Sequence, residues 1–161
     1  MKRQQEPFVS ERAVNLAIVL LTRFHAVHVE RAYSDSGYDL RVLVDFNKPN
    51  AGEFGVRLEG YIGPILNDGR ADSQFIEAAR KSLKGCDFPV ALLEFDVKSD
   101  KGRFGWLLAP KVIAHRAQLE ETETVSLEPA TNQRIQGALE EFRRWHKVRL
   151  SQANGSYAGS R

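Results

Sequence analysis

From Tyr38 to Ile62 hydrophobic and polar positions alternate twice. In YDLRVLVDF, Leu40, Val42, Val44 and Phe46 share one parity and Asp39, Arg41, Leu43 and Asp45 the other. That period of two is expected of a strand with one face on a core. After NKPNAGE the alternation resumes in FGVRLEGYI, with Phe54, Val56, Leu58 and Ile62 on one parity and Arg57, Glu59 and Tyr61 on the other. An antiparallel hairpin turning at Pro49-Asn50 places Arg41 near Glu59 and Asp39 near Tyr61, a charged strip across two strands.

The rest of the chain supplies elements around this hairpin. Residues 1–9 read as a polar leader. Ser10 is positioned as the N-cap of a helix ERAVNLAIVLLTRF with Glu11 in its first turn, apolar around most of its circumference and therefore expected to be buried. AVHVERAY reads as a strand and SDSG as a turn; His25 and His28 fall on opposite parities, so they do not share a metal. After a GPILNDGRAD connection, DSQFIEAARKSLKG reads as a helix capped by Asp72 and closed by Gly85. FPVALLEFDV and FGWLLAP read as strands joined by the turn KSDKGR, whose Lys98, Lys101 and Arg103 form a basic tip. LEETETVSLEP reads as an acidic connector. From Thr131 to Leu150 a last helix carries Ile135, Leu139, Phe142 and Trp145 on one stripe, with Arg143, Arg144 and Lys147 turned away, and 151–161 read as a disordered tail. The predicted architecture is one domain over 10–150, of α/β (α+β) class, with a mixed central sheet of about five strands flanked by helices.

Composition adds little to this picture. At 161 residues, 42% hydrophobic and 27% charged, the chain fits one soluble domain. Its longest apolar run is Leu16 to Leu21, far short of the roughly 20 residues of a membrane span, so no membrane partner is expected and the expected location is cytoplasmic. Cys86 has no second cysteine to pair with and reads as a small buried side chain. The net charge of +2 is unevenly spread: residues 132–161 hold six basic side chains against two acids, leaving the remainder slightly acidic. A basic C-terminal helix suits phosphate contacts, and it also suits the helix dipole alone.

The chain has no Gly-rich phosphate loop, dinucleotide fingerprint, His-Glu-x-x-His, Cys-x-x-Cys or G-x-S-x-G motif. An early helical Glu, an Asp after a polar turn in SDSGYDLRV, the strand FGVRLEGYI, a crossover helix, then FPVALLEFDV and FGWLLAP together resemble the restriction-endonuclease-like fold of the PD-(D/E)XK superfamily. More narrowly the chain is similar to the bacterial domain of unknown function 4365 type, in which Gly-hydrophobic-Asp opens the hairpin and Gln-x-Lys sits in the next strand. The resemblance covers roughly residues 10–110. It implies carboxylates holding Mg²⁺ at a scissile phosphate, with a Lys helping to place or deprotonate the attacking water. Asp39 matches the metal-binding Asp and Glu11 the helical Glu. The second half departs: Arg57 stands where the family has an acid or amide, and Glu59 where it has Lys.

A guanidinium at position 57 repels the cation such a site holds and is expected to pair with Asp39 or Glu59. The preferred expectation is a nuclease-like domain with a degenerate site. It would serve as a nucleic-acid-binding or assembly module in a bacterial defence or DNA-processing system, without a cofactor. DNA or RNA would be held by Arg143, Arg144, Lys147, Lys98, Lys101 and Arg103. An active Mg²⁺-dependent phosphodiesterase with Asp39 and Glu59 as metal ligands, completed by Glu11 and by Lys81 or Lys84, is the second reading. A protein-interaction subunit or homodimer is the third. A structural ladder of Asp39, Arg41, Arg57 and Glu59 on a half-solvated sheet competes with all three.

Overall fold

The alternation around the hairpin becomes real strands. The computed structural model describes residues 7–33, 35–63 and 73–159, with side chains in the last span from 74 to 153. Its elements run α1 (Pro7–Thr22), β1 (Val27–Arg31), β2 (Leu40–Val44), β3 (Gly52–Tyr61), α2 (Ser73–Ser82), β4 (Val90–Asp96), β5 (Lys101–Ile113), β6 (Arg116–Glu120), β7 (Glu128–Pro129) and α3 (Asn132–Gly159). The strands form one mixed sheet in the order β1-β2-β3-β4-β5-β6, with β7 on the outer side of β5. All neighbours are antiparallel except β3 and β4, which α2 joins as a crossover. The α/β class is therefore as predicted, with seven strands among the described residues in place of about five.

Helices cover both faces, and the parity of each strand assigns its side chains to one or the other. Leu40, Val42, Val44, Phe54, Val56, Ala91, Leu93, Phe104 and Trp106 join Ala13, Ala17 and Leu21 of α1 and Ile135, Leu139, Phe142 and Trp145 of α3 in the larger core. Val90, Leu92 and Leu107 face the other way, where Ile76, Ala79 and Leu83 meet Val125 and Leu127 of the segment before β7. β4 is buried along its whole length because both of its faces are covered.

Several local expectations hold. α3 begins at Asn132, next to the expected start at Thr131, with the Thr131 Oγ1 accepting from the Arg134 amide at 3.1 Å as its cap, and Gly85, at φ 86°, follows α2. Asp72 lies outside the described residues. Others need correction. α1 starts at Pro7, so Ser10 lies inside the helix and Glu11 beyond its first turn; proline fits a first helical position, where its missing N–H costs nothing. Nor is α1 buried all round, since Phe8 and Val19 are 58% and 54% exposed; only the side facing β1, β3 and β4 is covered. The stretch AHRAQLE, read partly as connector, turns back through Ala114 and His115 to make β6. α3 continues past Leu150 to Gly159, through the stretch read as a disordered tail.

The hairpin register also differs. Arg41 lies opposite Gly55, four residues from the expected Glu59, and Leu40 opposite Val56. The connection as a whole is centred on Lys48 and is made of two turns: the Lys48 amide donates to the Asp45 carbonyl, and the Ala51 amide donates to the Lys48 carbonyl around the expected Pro49-Asn50. Asp45 takes a left-handed φ of 55° to enter it, a conformation Asp tolerates better than most residues.

Candidate functional site

The Gly-Tyr-Asp that opens the hairpin has a structural task at each position. Gly37 adopts φ 83°, and a Cβ there would meet the Ser82 carbonyl oxygen at 2.5 Å, so the turn packs directly against the end of α2. Tyr38 meets Phe88 edge to face, centroids 5.5 Å apart. Asp39 sits where the β2–β3 ladder ends. Its amide donates to the Val56 carbonyl at 2.8 Å, and its Oδ2 accepts from the Leu58 amide at 2.7 Å. The Asp39 side chain thus satisfies an amide of β3 beyond the last paired residue of β2. The residue keeps a solvent-facing side, yet desolvation of its carboxyl raises its pKa above the ordinary value, against the lowering effects of the Leu58 amide and the Arg57 charge.

Arg57 stands opposite Asp39, one step beyond Leu40 and Val56 in register, and its charge acts on that carboxyl, but the two form no ion pair among the described residues. The Arg57 Nη1 donates to the Gly37 carbonyl at 3.0 Å and its guanidinium rests 5.3 Å from the centre of the Phe75 ring of α2. The ladder expected from Asp39, Arg41, Arg57 and Glu59 has other members, because the register is shifted. Arg41 bridges three strands, reaching Glu53 at 2.7 Å on β3 and Glu30 at 3.4 Å on β1. Glu11 pairs with Arg31 of β1 at 3.1 Å. Arg31 shares the parity of Val27 and Val29, which pack towards α1, whereas Asp39 has the parity opposite to Leu40 and faces the α2 side. The sheet itself therefore stands between Glu11 and Asp39. Lys81 and Lys84 line a cleft of about 410 Å³ between α2 and the connector, with Ile76, Glu77, Arg80, Glu121 and Glu123. Among the described residues no three Asp, Glu, His or Cys side chains converge as a metal would need. Cys86 is half-buried beside the Phe88 carbonyl, and burial pushes its thiol pKa up, away from the reactive form.

A polar cluster that the sequence reading did not single out lies further along the same face, at the carboxyl ends of the parallel strands β3 and β4. Glu94 is 2% exposed; one carboxylate oxygen accepts from the Tyr61 hydroxyl at 3.1 Å and the other pairs with Arg103. Glu59 is the neighbour of Glu94 in register, and Asp96 that of Tyr61. Burial opposes the charge of Asp96, but the Ser99 hydroxyl and the amides of Lys98, Gly63 and Ser99 hold its pKa below the ordinary value. The signal in the sequence was two acids on one parity of an otherwise apolar strand, with a basic residue where the next strand begins.

The candidate nucleic-acid residues divide into two sets. Arg103 is engaged with buried Glu94, leaving Lys98 and Lys101 exposed at the β4–β5 turn. The start of α3 lies at that end, the Ala130 amide donating to the Gly102 carbonyl. The later turns of α3 reach the opposite end of the sheet, where Arg143 pairs with Asp45, His146 bonds the Ala51 carbonyl and Arg149 pairs with Asp87. From Asn132 to Arg144 the helix rises about 18 Å, so the two basic groups do not share one patch. Arg144 and Lys147 are exposed on α3 and make no ion pair among the described residues. Comparison of the chain with protein-family models, with curated proteins and with solved structures returns no match.

Proposed function

We propose that the chain is a nuclease-like domain whose catalytic constellation is lost and which binds nucleic acid through phosphate contacts from α3. The observation that carries the first half is the position of Glu11 and Asp39 on opposite faces of the sheet, each already bonded, to Arg31 and to the Leu58 amide. A metal-dependent phosphodiesterase needs its carboxylates around one cation. The order of helix, three strands, crossover helix and strands supports the resemblance to the restriction-endonuclease-like superfamily, which in turn suggests bacterial defence or DNA processing as the setting. The second half is supported by Arg144 and Lys147, two exposed cations beside Arg143 in the middle of α3.

The test is fluorescence anisotropy with single- and double-stranded DNA and RNA at rising salt, alongside a cleavage assay with Mg²⁺ or Mn²⁺. Binding is expected to weaken steeply with salt. Arg144→Ala and Lys147→Ala are each expected to reduce the slope of log affinity against log salt by about one. Failure to bind any of the four polymers at about 50 mM salt overturns the binding half, and cleavage abolished by Asp39→Ala overturns the other. A protein-assembly role is the second reading, favoured by the exposed Phe8 and Val19 on the outer side of α1. It predicts a concentration-dependent increase in mass by light scattering.

A further inference from the structure

Where α3 crosses the β2–β3 turn it leaves a notch of about 130 Å³, lined by Val44, Asp45, Asn50, Gly52, Phe142, Arg143, His146 and Lys147. At a liquid share of roughly 30 Å³ per water, that is room for about four waters, or for a tetrahedral anion with part of its hydration. Its walls carry the donors such an anion takes: the guanidinium of Arg143, the ammonium of Lys147 and the side-chain amide of Asn50.

We infer that this notch seats a single phosphate group, and that Arg143 exchanges Asp45 for it on binding. The inference rests on the reading of α3 as a nucleic-acid surface and names the atoms that would hold the backbone. Three observations support it. Arg143 meets Asp45 through Nε at 3.2 Å and Nη2 at 3.3 Å, and both residues line the notch, so the pair that phosphate would replace stands in its wall. Lys147, at the mouth, has no carboxylate partner among the described residues. The notch is also held in shape around the anion's place. His146 stacks on Phe142 with an interplanar angle of 10° and reaches the Ala51 carbonyl at 3.2 Å. It can do so because residue 52 is glycine: a Cβ there would lie 2.8 Å from the His146 Nε2.

Asp45 is the feature that distinguishes this assignment from a plain ion pair. If Arg143 serves only to tie α3 to the turn, Asp45→Asn weakens the fold and gains nothing. If phosphate competes with Asp45, the same substitution strengthens binding. A charge about 4 Å from the phosphate in a watery site changes affinity by about fivefold. Asp45→Asn is therefore expected to tighten binding by about that factor, and Lys147→Gln, on an exposed side chain, to weaken it similarly.

The experiment follows backbone amide shifts of Gly52, Ala51 and His146 in the full chain by nuclear magnetic resonance. Inorganic phosphate is titrated against chloride at equal ionic strength, and a short single-stranded oligonucleotide in a second arm. Shifts at these amides with either ligand, enhanced in Asp45→Asn and reduced in Lys147→Gln, support the seat. The oligonucleotide arm alone responding identifies a backbone phosphate, and the phosphate arm alone a free anion. Oligonucleotide binding that moves only residues around Arg144 and ignores both substitutions keeps α3 as the nucleic-acid surface and overturns the seat. No response in either arm overturns the seat as well. If Asp45→Asn proves too unstable to study, an unaltered affinity in Lys147→Gln is sufficient to reject it.

Discussion

Replacing Glu94 by Gln keeps the shape of the side chain and an acceptor for the Tyr61 hydroxyl but removes the charge that faces Arg103. The side chains of the pair are 2% and 15% exposed, so water does little to screen the loss. Removing one partner of a buried pair costs about 3–5 kcal/mol, because the remaining charge loses its buried counterion. Tyr61 still has an acceptor in the variant, which puts the expectation at the lower end, about 3 kcal/mol. With a urea slope of about 2 kcal/mol/M the unfolding midpoint falls by about 1.5 M. The double substitution Glu94→Leu with Arg103→Met removes both charges and is expected to lie within about 1 kcal/mol of the parent, so the cycle yields a coupling of several kcal/mol. A control is Arg12→Ala: that pair with Asp100 is 50% and 44% exposed, and less than about 1 kcal/mol is expected. Urea unfolding of the parent, Glu94→Gln, the two singles Glu94→Leu and Arg103→Met, their double and Arg12→Ala measures all of this. A cost below about 1 kcal/mol for Glu94→Gln, or a double variant as unstable as the sum of the singles, refutes the view that the two charges stabilise one another inside the sheet.

Asp39 and Asp96 predict opposite responses to acid. The Asp39 pKa is raised in the fold, so its contribution is present below the unfolded value and lost as pH rises through the folded one; Asp39→Asn is expected to compare worst with the parent in acid. The Asp96 pKa is lowered, so its contribution is present above the unfolded value and lost as pH falls through the folded one; Asp96→Asn is expected to compare worst near neutrality. Unfolding midpoints at pH 3 and 7, two points flanking ordinary carboxylate pKa values, check both, and parallel behaviour of the two variants contradicts the assignment. The β5–β6 turn provides a third test. Ala114 and His115 hold φ of 52° and 62°, the pattern of a two-residue turn that prefers Asn-Gly. Ala114→Asn with His115→Gly is expected to stabilise by about 1 kcal/mol, or about 3 °C in Tm. No gain by calorimetry argues against strain there.

What the sequence showed and what it concealed follow from the range of the interactions. Alternation in β2 and β3, the start of α3 beside Thr131 and the Gly85 stop are written in neighbouring residues, and each was legible. The register was not, because Asp45 enters the turn early and its left-handed backbone leaves no strong mark in the sequence. β6 escaped notice because Ala114-His115 has none of the usual turn residues. Of the site, the sequence marked Asp39, Glu11 and Arg57 but not the faces they occupy. Parity places Glu11 and Asp39 only once the register of β1 against β2 is known. The buried Glu94–Arg103 pair was visible as two isolated charges, and only the strand pairing makes them partners.

Ile135, Ala138, Leu139, Phe142 and Trp145 of α3 complete the larger core, sharing it with β2 to β5. A ribosome making this chain releases every strand before the helix that shields Phe54, Phe104 and Trp106 from water. The nascent sheet must therefore wait, with the part of its apolar side that α1 does not reach uncovered, for α3. Stop codons placed between residues 131 and 145 are expected to yield insoluble product, even though they leave all seven strands intact.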